Sequence, residues 1–128
     1  KLFNMMQSAL YKHLVTTLQL VASPPQMQFG FYPHGVTVTD EIALDYSDAF
    51  LQVQVLIDTH EITIEIAQAL QTIEDEFREM SLLPELWSQD ALFLHDKWDN
   101  LRVNAMTILR SLGEEFEHPG QSQDTYIF

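Results

Sequence analysis

The sequence predicts a mainly α-helical fold, a bundle of three to four helices. Apolar residues recur at spacings of three and four over most of the chain, the period of one face of a helix. Proline and glycine gather mainly in residues 23–35 and 118–120, which cut the chain into an N-terminal segment, a middle and a tail. The 128 residues are 46% hydrophobic, and area scaling at this size buries about two-thirds of the unfolded surface, enough for one core without disulfides. A small β-hairpin near residues 26–39 fits beside the bundle. The alternative is an α+β fold in which residues 26–57 form a small antiparallel sheet. Residues 1–116 read as a single acidic helical domain and residues 117–128 as a polar C-terminal tail.

Residues 2–22 are expected to be a helix. Phe3, Met6, Leu10, Leu14, Leu18 and Val21 fall on one face, and Pro24-Pro25 ends it. Residues 26–38 have no helical phase. Their aromatics and the Pro33-His34-Gly35 turn predict the hairpin, with Gln28–Tyr32 opposite Val36–Thr39. From 40 to 57, Ile42, Tyr46, Ala49, Val53 and Leu56 keep helical spacing. Leu51, Val53, Val55 and Ile57 also alternate with glutamines in the manner of a strand.

The polar stripe restarts out of phase at Asp58, so a break is expected near residue 58, with Asp58-x-x-Glu61 as a capping box. A helix over 59–81 follows on Ala67, Leu70, Ile73, Phe77 and Met80. The last helix reads as one long element. Trp87, Ala91, Leu94, Trp98, Leu101, Ala105, Ile108 and Leu112 form a heptad seam, and Gly113 is its C-cap.

Composition excludes several functions. Without cysteine there is no disulfide, thiolate metal site or cysteine nucleophile. No apolar run reaches the length of a membrane span. Residues 1–22 do not read as a signal peptide, because Asn4, Gln7, Lys12 and His13 interrupt them. Lys1 in place of Met leaves the natural N-terminus open. A soluble protein is expected; its compartment is unknown, with the cytoplasm favoured. No glycine-rich phosphate loop and no Gly-x-Ser-x-Gly is present.

The formal charge of −13 is uneven. Residues 1–39 carry two lysines and no acid, residues 40–79 carry eleven acids and one arginine, and residues 80–128 carry eight acids and three bases. Such a field repels nucleic acid and anionic membranes and favours basic partners. Solubility alone is the plain alternative.

Three sets of residues are candidates. The acidic run Glu74, Asp75, Glu76 with Glu79 would dock a basic segment, against the plain alternative of a solvated helix face. Trp87 and Trp98 on the seam would contact a partner helix or a second copy through residues 87–112, against the alternative of core packing. Phe29, Phe31 and Tyr32 would offer aromatic contacts at the predicted turn. A weaker set, His60, Glu61, Glu65, His95 and Asp99, holds imidazoles and carboxylates one turn apart, the chemistry of a metal-carboxylate bundle site. That class needs Glu-x-x-His on two helices, and only Glu115-x-x-His118 matches.

The function expected is a non-enzymatic protein–protein interaction module, an adaptor, regulator or chaperone-like subunit. It would bind a basic or amphipathic partner through an acidic helix face and an apolar seam, without a cofactor. The alternatives are a nucleic-acid-mimic inhibitor of a DNA-binding protein and a metal-carboxylate enzyme.

Overall fold

The computed structural model describes residues 7–117 and 119, and the predicted tail lies almost wholly outside them. Among the described residues the chain is helical throughout, with no strand. Four long helices make the frame: α1 (Ala9–Ala22), α3 (Val38–Phe50), α5 (Ile64–Met80) and α7 (Asp96–Ser111). Short helices α2 (Pro25–Phe31), α4 (Val53–Asp58) and α6 (Gln89–Leu94), with a 3-10 turn at Pro84–Trp87, join them. The main packing pairs are α1 with α7, α1 with α3, α5 with α7 and α3 with α5. They close a ring in the order α1–α3–α5–α7. Contacts between Tyr46 and Leu70, Asn104 and Glu76, and Tyr11 and Glu114 place each helix antiparallel to its neighbours.

The first helix starts where Ser8 Oγ accepts the Tyr11 N–H at 3.1 Å. It ends at Ser23, whose hydroxyl donates to the Gln19 carbonyl ahead of the prolines. Leu14, Leu18 and Val21 are buried as their spacing predicts, and Phe3 and Met6 lie outside the described residues.

The hairpin is absent, and so is the sheet of the α+β alternative. Residues 25–31 form α2, because Pro25 sits at the first helical turn, where its missing N–H costs nothing. The side chain of Gln28 then takes a role no strand would give it. Its amide donates to the Leu20 and Val21 carbonyls at 3.2 and 3.0 Å, satisfying the frayed end of α1. Its Oε1 accepts from Arg102 Nε at 3.1 Å.

The expected break near 58 is present. Helix α4 ends at Asp58, and His60 adopts a left-handed backbone with φ 60°. The N–H groups of His60 and Glu61 donate to the Ile57 and Leu56 carbonyls, a Schellman closure with histidine where glycine is usual. The predicted capping box does not form. Thr63 is the N-cap of α5, accepting the Ile66 N–H at 3.1 Å, and Asp58 belongs to the previous helix. A second break, at Leu51–Gln52, was not expected. There Gln52 N–H donates three residues back to Ala49, and the chain tightens for one turn.

The long C-terminal helix is interrupted as well. His95 is extended, with φ −91° and ψ 137°, and its Nδ1 accepts the Lys97 N–H as the N-cap of α7. The heptad seam is therefore split. Trp98, Leu101 and Ala105 are fully buried, whereas Leu94 is 79% exposed. Gly113, with φ 75°, closes α7 as expected, through Glu114 N–H to the Leu109 carbonyl. Among the described residues no helix is long and apolar enough to cross a membrane.

Candidate docking surface

The outer seam between α3 and α5, the candidate crevice, carries two separate and largely apolar pits with the Ser47–Glu74 hydrogen bond between them. On α3 the buried stripe is Val38, Ile42, Tyr46 and Ala49. The side turned toward α5 follows at the same period as Ala43, Ser47 and Phe50, with Asp40, Leu44 and Leu51 outside them. On α5 the buried stripe is Ile66, Leu70, Ile73, Phe77 and Met80. Ala67 and Glu74, with Ser81 just past the helix end, line its α3 side. Ile64, Gln71 and Arg78 form the outer wall.

Two pits lie along this line. One, of about 520 Å³, is lined by Phe50, Leu51, Val53, Ile57, Ile64 and Ala67 with three glutamines. The other, of about 420 Å³, is lined by Asp40, Ala43, Leu44, Ser81 and Trp87. Leu44 is 59% exposed, Leu51 75% and Ile64 52%. Scattered exposed leucines need no explanation, but apolar walls facing one another across a crevice leave a surface that a partner can cover.

Glu74 occupies the centre. It is half-buried and accepts a hydrogen bond from Ser47 Oγ at 3.1 Å. Beneath it, Tyr46 is fully buried and its hydroxyl donates to the Leu70 carbonyl at 2.6 Å. Burial, and then the nearby Glu74 carboxylate, push that phenol well above the ordinary tyrosine range. Among the described residues no Lys or Arg pairs with Glu74. Arg78, on the same wall, is held by Asp75 at 2.9 Å, and Gln71 donates to that same carboxylate.

The acidic run is thus not one face. Successive helical residues turn by 100°. Glu74 faces α3, Glu76 accepts from Asn104 Nδ2 of α7 at 2.8 Å, and Asp75 and Glu79 point outward. Of the tryptophans, Trp98 is fully buried and donates to the Leu86 carbonyl, so it has no surface to present. Trp87 is half-buried, edge-on to Trp98 at 5.7 Å, and reaches the second pit. Phe29 stands on α2 against Phe93, and Tyr32 donates to Asp45 at 2.5 Å. Phe31 packs edge-on against Tyr32. None of these three aromatics lines either pit of the crevice.

The residues of the metal alternative are not brought together. His95 caps α7, Asp99 pairs with Arg102 at 2.6 Å, and Glu61 Oε1 accepts the Ser8 N–H at 2.8 Å. That backbone bond holds the Glu61 carboxyl below the usual range. Glu65 stands on α5 with no such bond to His60, which is exposed in the turn before it. Among the described residues no three His, Asp or Glu side chains converge as metal ligands.

A further cavity, about 800 Å³, lies at one end of the bundle by Tyr11, Glu61, Glu65 and Glu114. Two of its acids are committed, Glu61 to Ser8 and Glu114 to the Tyr11 hydroxyl at 3.0 Å. Burial first, and then Glu114, raise the Tyr11 phenol above its ordinary range.

Sequence reasoning missed Leu44, Leu51, Ile64 and Ala67. A signal existed: Leu44 and Leu51 lie seven apart on the polar side of α3, off the core stripe. Comparison with protein-family models, curated proteins and solved structures finds no match to this chain.

Proposed function

We propose that the protein is an interaction module whose α3–α5 crevice receives a basic, amphipathic helix of a partner protein. The observation that carries this reading is the pair of largely apolar pits at the two ends of the crevice, lined mostly from the most acidic third of the chain. A helix laid in a groove buries its apolar face there, and the surrounding carboxylates raise the encounter rate with a cationic partner. The acidic field supports a basic partner, and the crevice takes over the apolar role that the sequence assigned to the 87–112 seam.

A nucleic-acid mimic needs an even row of carboxylates. Glu74 and Glu76 turn to opposite neighbours, and Asp75 and Asp99 already pair with arginines, which favours the docking reading.

The test uses a labelled synthetic helix of leucines and lysines, with fluorescence anisotropy as the readout. Binding is expected for the native chain and is expected to weaken at least about tenfold in Leu51→Asp and in Ile64→Asp, both exposed positions that should fold normally. Equal binding by these variants contradicts the proposal.

A further inference from the structure

Resting on that docking reading, we infer that the crevice selects one pattern in its partner: apolar anchor, cation, apolar anchor, about two helical turns apart. Ala67, Glu74 and Ser81 are seven residues apart along one side of α5, which makes each interval about 10 Å. Ala67 lines the first pit and Ser81 the second, so Glu74 stands midway between them. The opposite wall runs in the reverse order, because α3 is antiparallel, over a shorter span: Phe50, Ser47 and Ala43 are three and four residues apart, about 5 and 6 Å. Phe50 is at the first pit, Ser47 bonds Glu74 in the middle, and Ala43 is at the second.

The central carboxylate makes the crevice selective. An apolar residue laid over Glu74 would strip it of water and leave a half-buried charge without a counter-ion, which is costly. A Lys or Arg at that point supplies the missing charge. The only base on this wall, Arg78, is one turn away and is held by Asp75. The first pit disfavours charge for the opposite reason, since aliphatic and aromatic side chains line most of it, and in the second Ala43, Leu44 and Trp87 form the apolar wall with Asp40 and Ser81 beside them. Apolar groups satisfy the ends and a cation satisfies the middle.

Three synthetic helical peptides of equal composition test this against the intact chain by anisotropy. The matched peptide carries Leu anchors fourteen residues apart with Arg midway. The second moves that Arg two positions, about 200° around the helix. The third scrambles the anchors. The matched peptide is expected to bind about tenfold more tightly than the shifted one. Glu74→Gln keeps an acceptor for Ser47 and is expected to erase that difference without loss of helical circular dichroism. Equal binding of matched and shifted peptides by the native chain overturns the pattern while leaving a docking crevice. A preference that survives Glu74→Gln overturns the role of Glu74. Failure of all three to bind overturns both the pattern and the docking reading.

Discussion

At the residue scale, two left-handed positions show opposite choices. Gly113 adopts φ 75° at the end of α7, where a Cβ would be strained, and Gly113→Ala is expected to cost about 1 kcal/mol. His60 holds φ 60° at the end of α4 and carries that strain, so His60→Gly is expected to stabilise by up to about 1 kcal/mol. Urea denaturation of the two variants checks both signs. Glu61 sets a pH dependence. Its carboxyl is held below the ordinary range by the Ser8 N–H, so its stabilisation is complete above that range and is lost as pH falls through the depressed value. The stability gap between native protein and Glu61→Gln is therefore expected to close in acid and to stay constant above about pH 5.

At the element scale, the caps decide where helices begin. Thr63→Ala and Ser88→Ala, at the caps of α5 and α6, are each expected to cost about 1 kcal/mol in thermal melts. Asp58→Ala, which loses only an exposed bond from Gln54, is expected to cost far less. The sequence made α1, the break near 58, the body of α5 and the glycine stop legible because period and punctuation agreed there. It hid the breaks at Leu51–Gln52 and His95. The apolar stripe from Ile42 to Leu56 runs on through the first, and the seam from Leu94 to Trp98 keeps its spacing across the second. Phe29 and Val36 suggested strands, but Gln28 answers to the carbonyls of α1, a tertiary demand that no local pattern displays.

The same network ties α1, α2, α6 and α7 together. Arg102 donates to Gln28, to Asp99 and to the Leu92 carbonyl. Burial draws its basicity down, and Asp99 opposes that. Arg102→Ala would leave Gln28 Oε1 and the Leu92 carbonyl unpaired and is expected to cost about 3 kcal/mol.

At the scale of the whole molecule, the ring of four long helices consumes the seam that the sequence offered as an interface. Trp98→Ala is expected to destabilise the fold by about 4 kcal/mol without changing its assembly, as sedimentation together with urea denaturation would show. Among the surfaces the ring leaves open is the α3–α5 crevice. Of the residues proposed from sequence for partner contact, Glu74 lies in it and Trp87 at one end. Its apolar walls were illegible because Leu44, Leu51 and Ile64 sit off the core stripes and gain meaning only when α3 and α5 lie side by side. On the docking proposal the acidic field would act at longer range. Glutamine at 74, 75, 76 and 79 is expected to slow association and flatten its salt dependence, measured by stopped flow with the leucine–lysine helix. The most direct measurement is a backbone amide NMR titration of the intact chain with that peptide. The result expected is a continuous set of shifts along Ala43, Ser47 and Leu51 of the α3 side and Ile64, Ala67 and Glu74 of α5. Shifts confined to the end cavity or to α7, or none at all, would contradict the crevice as the docking surface.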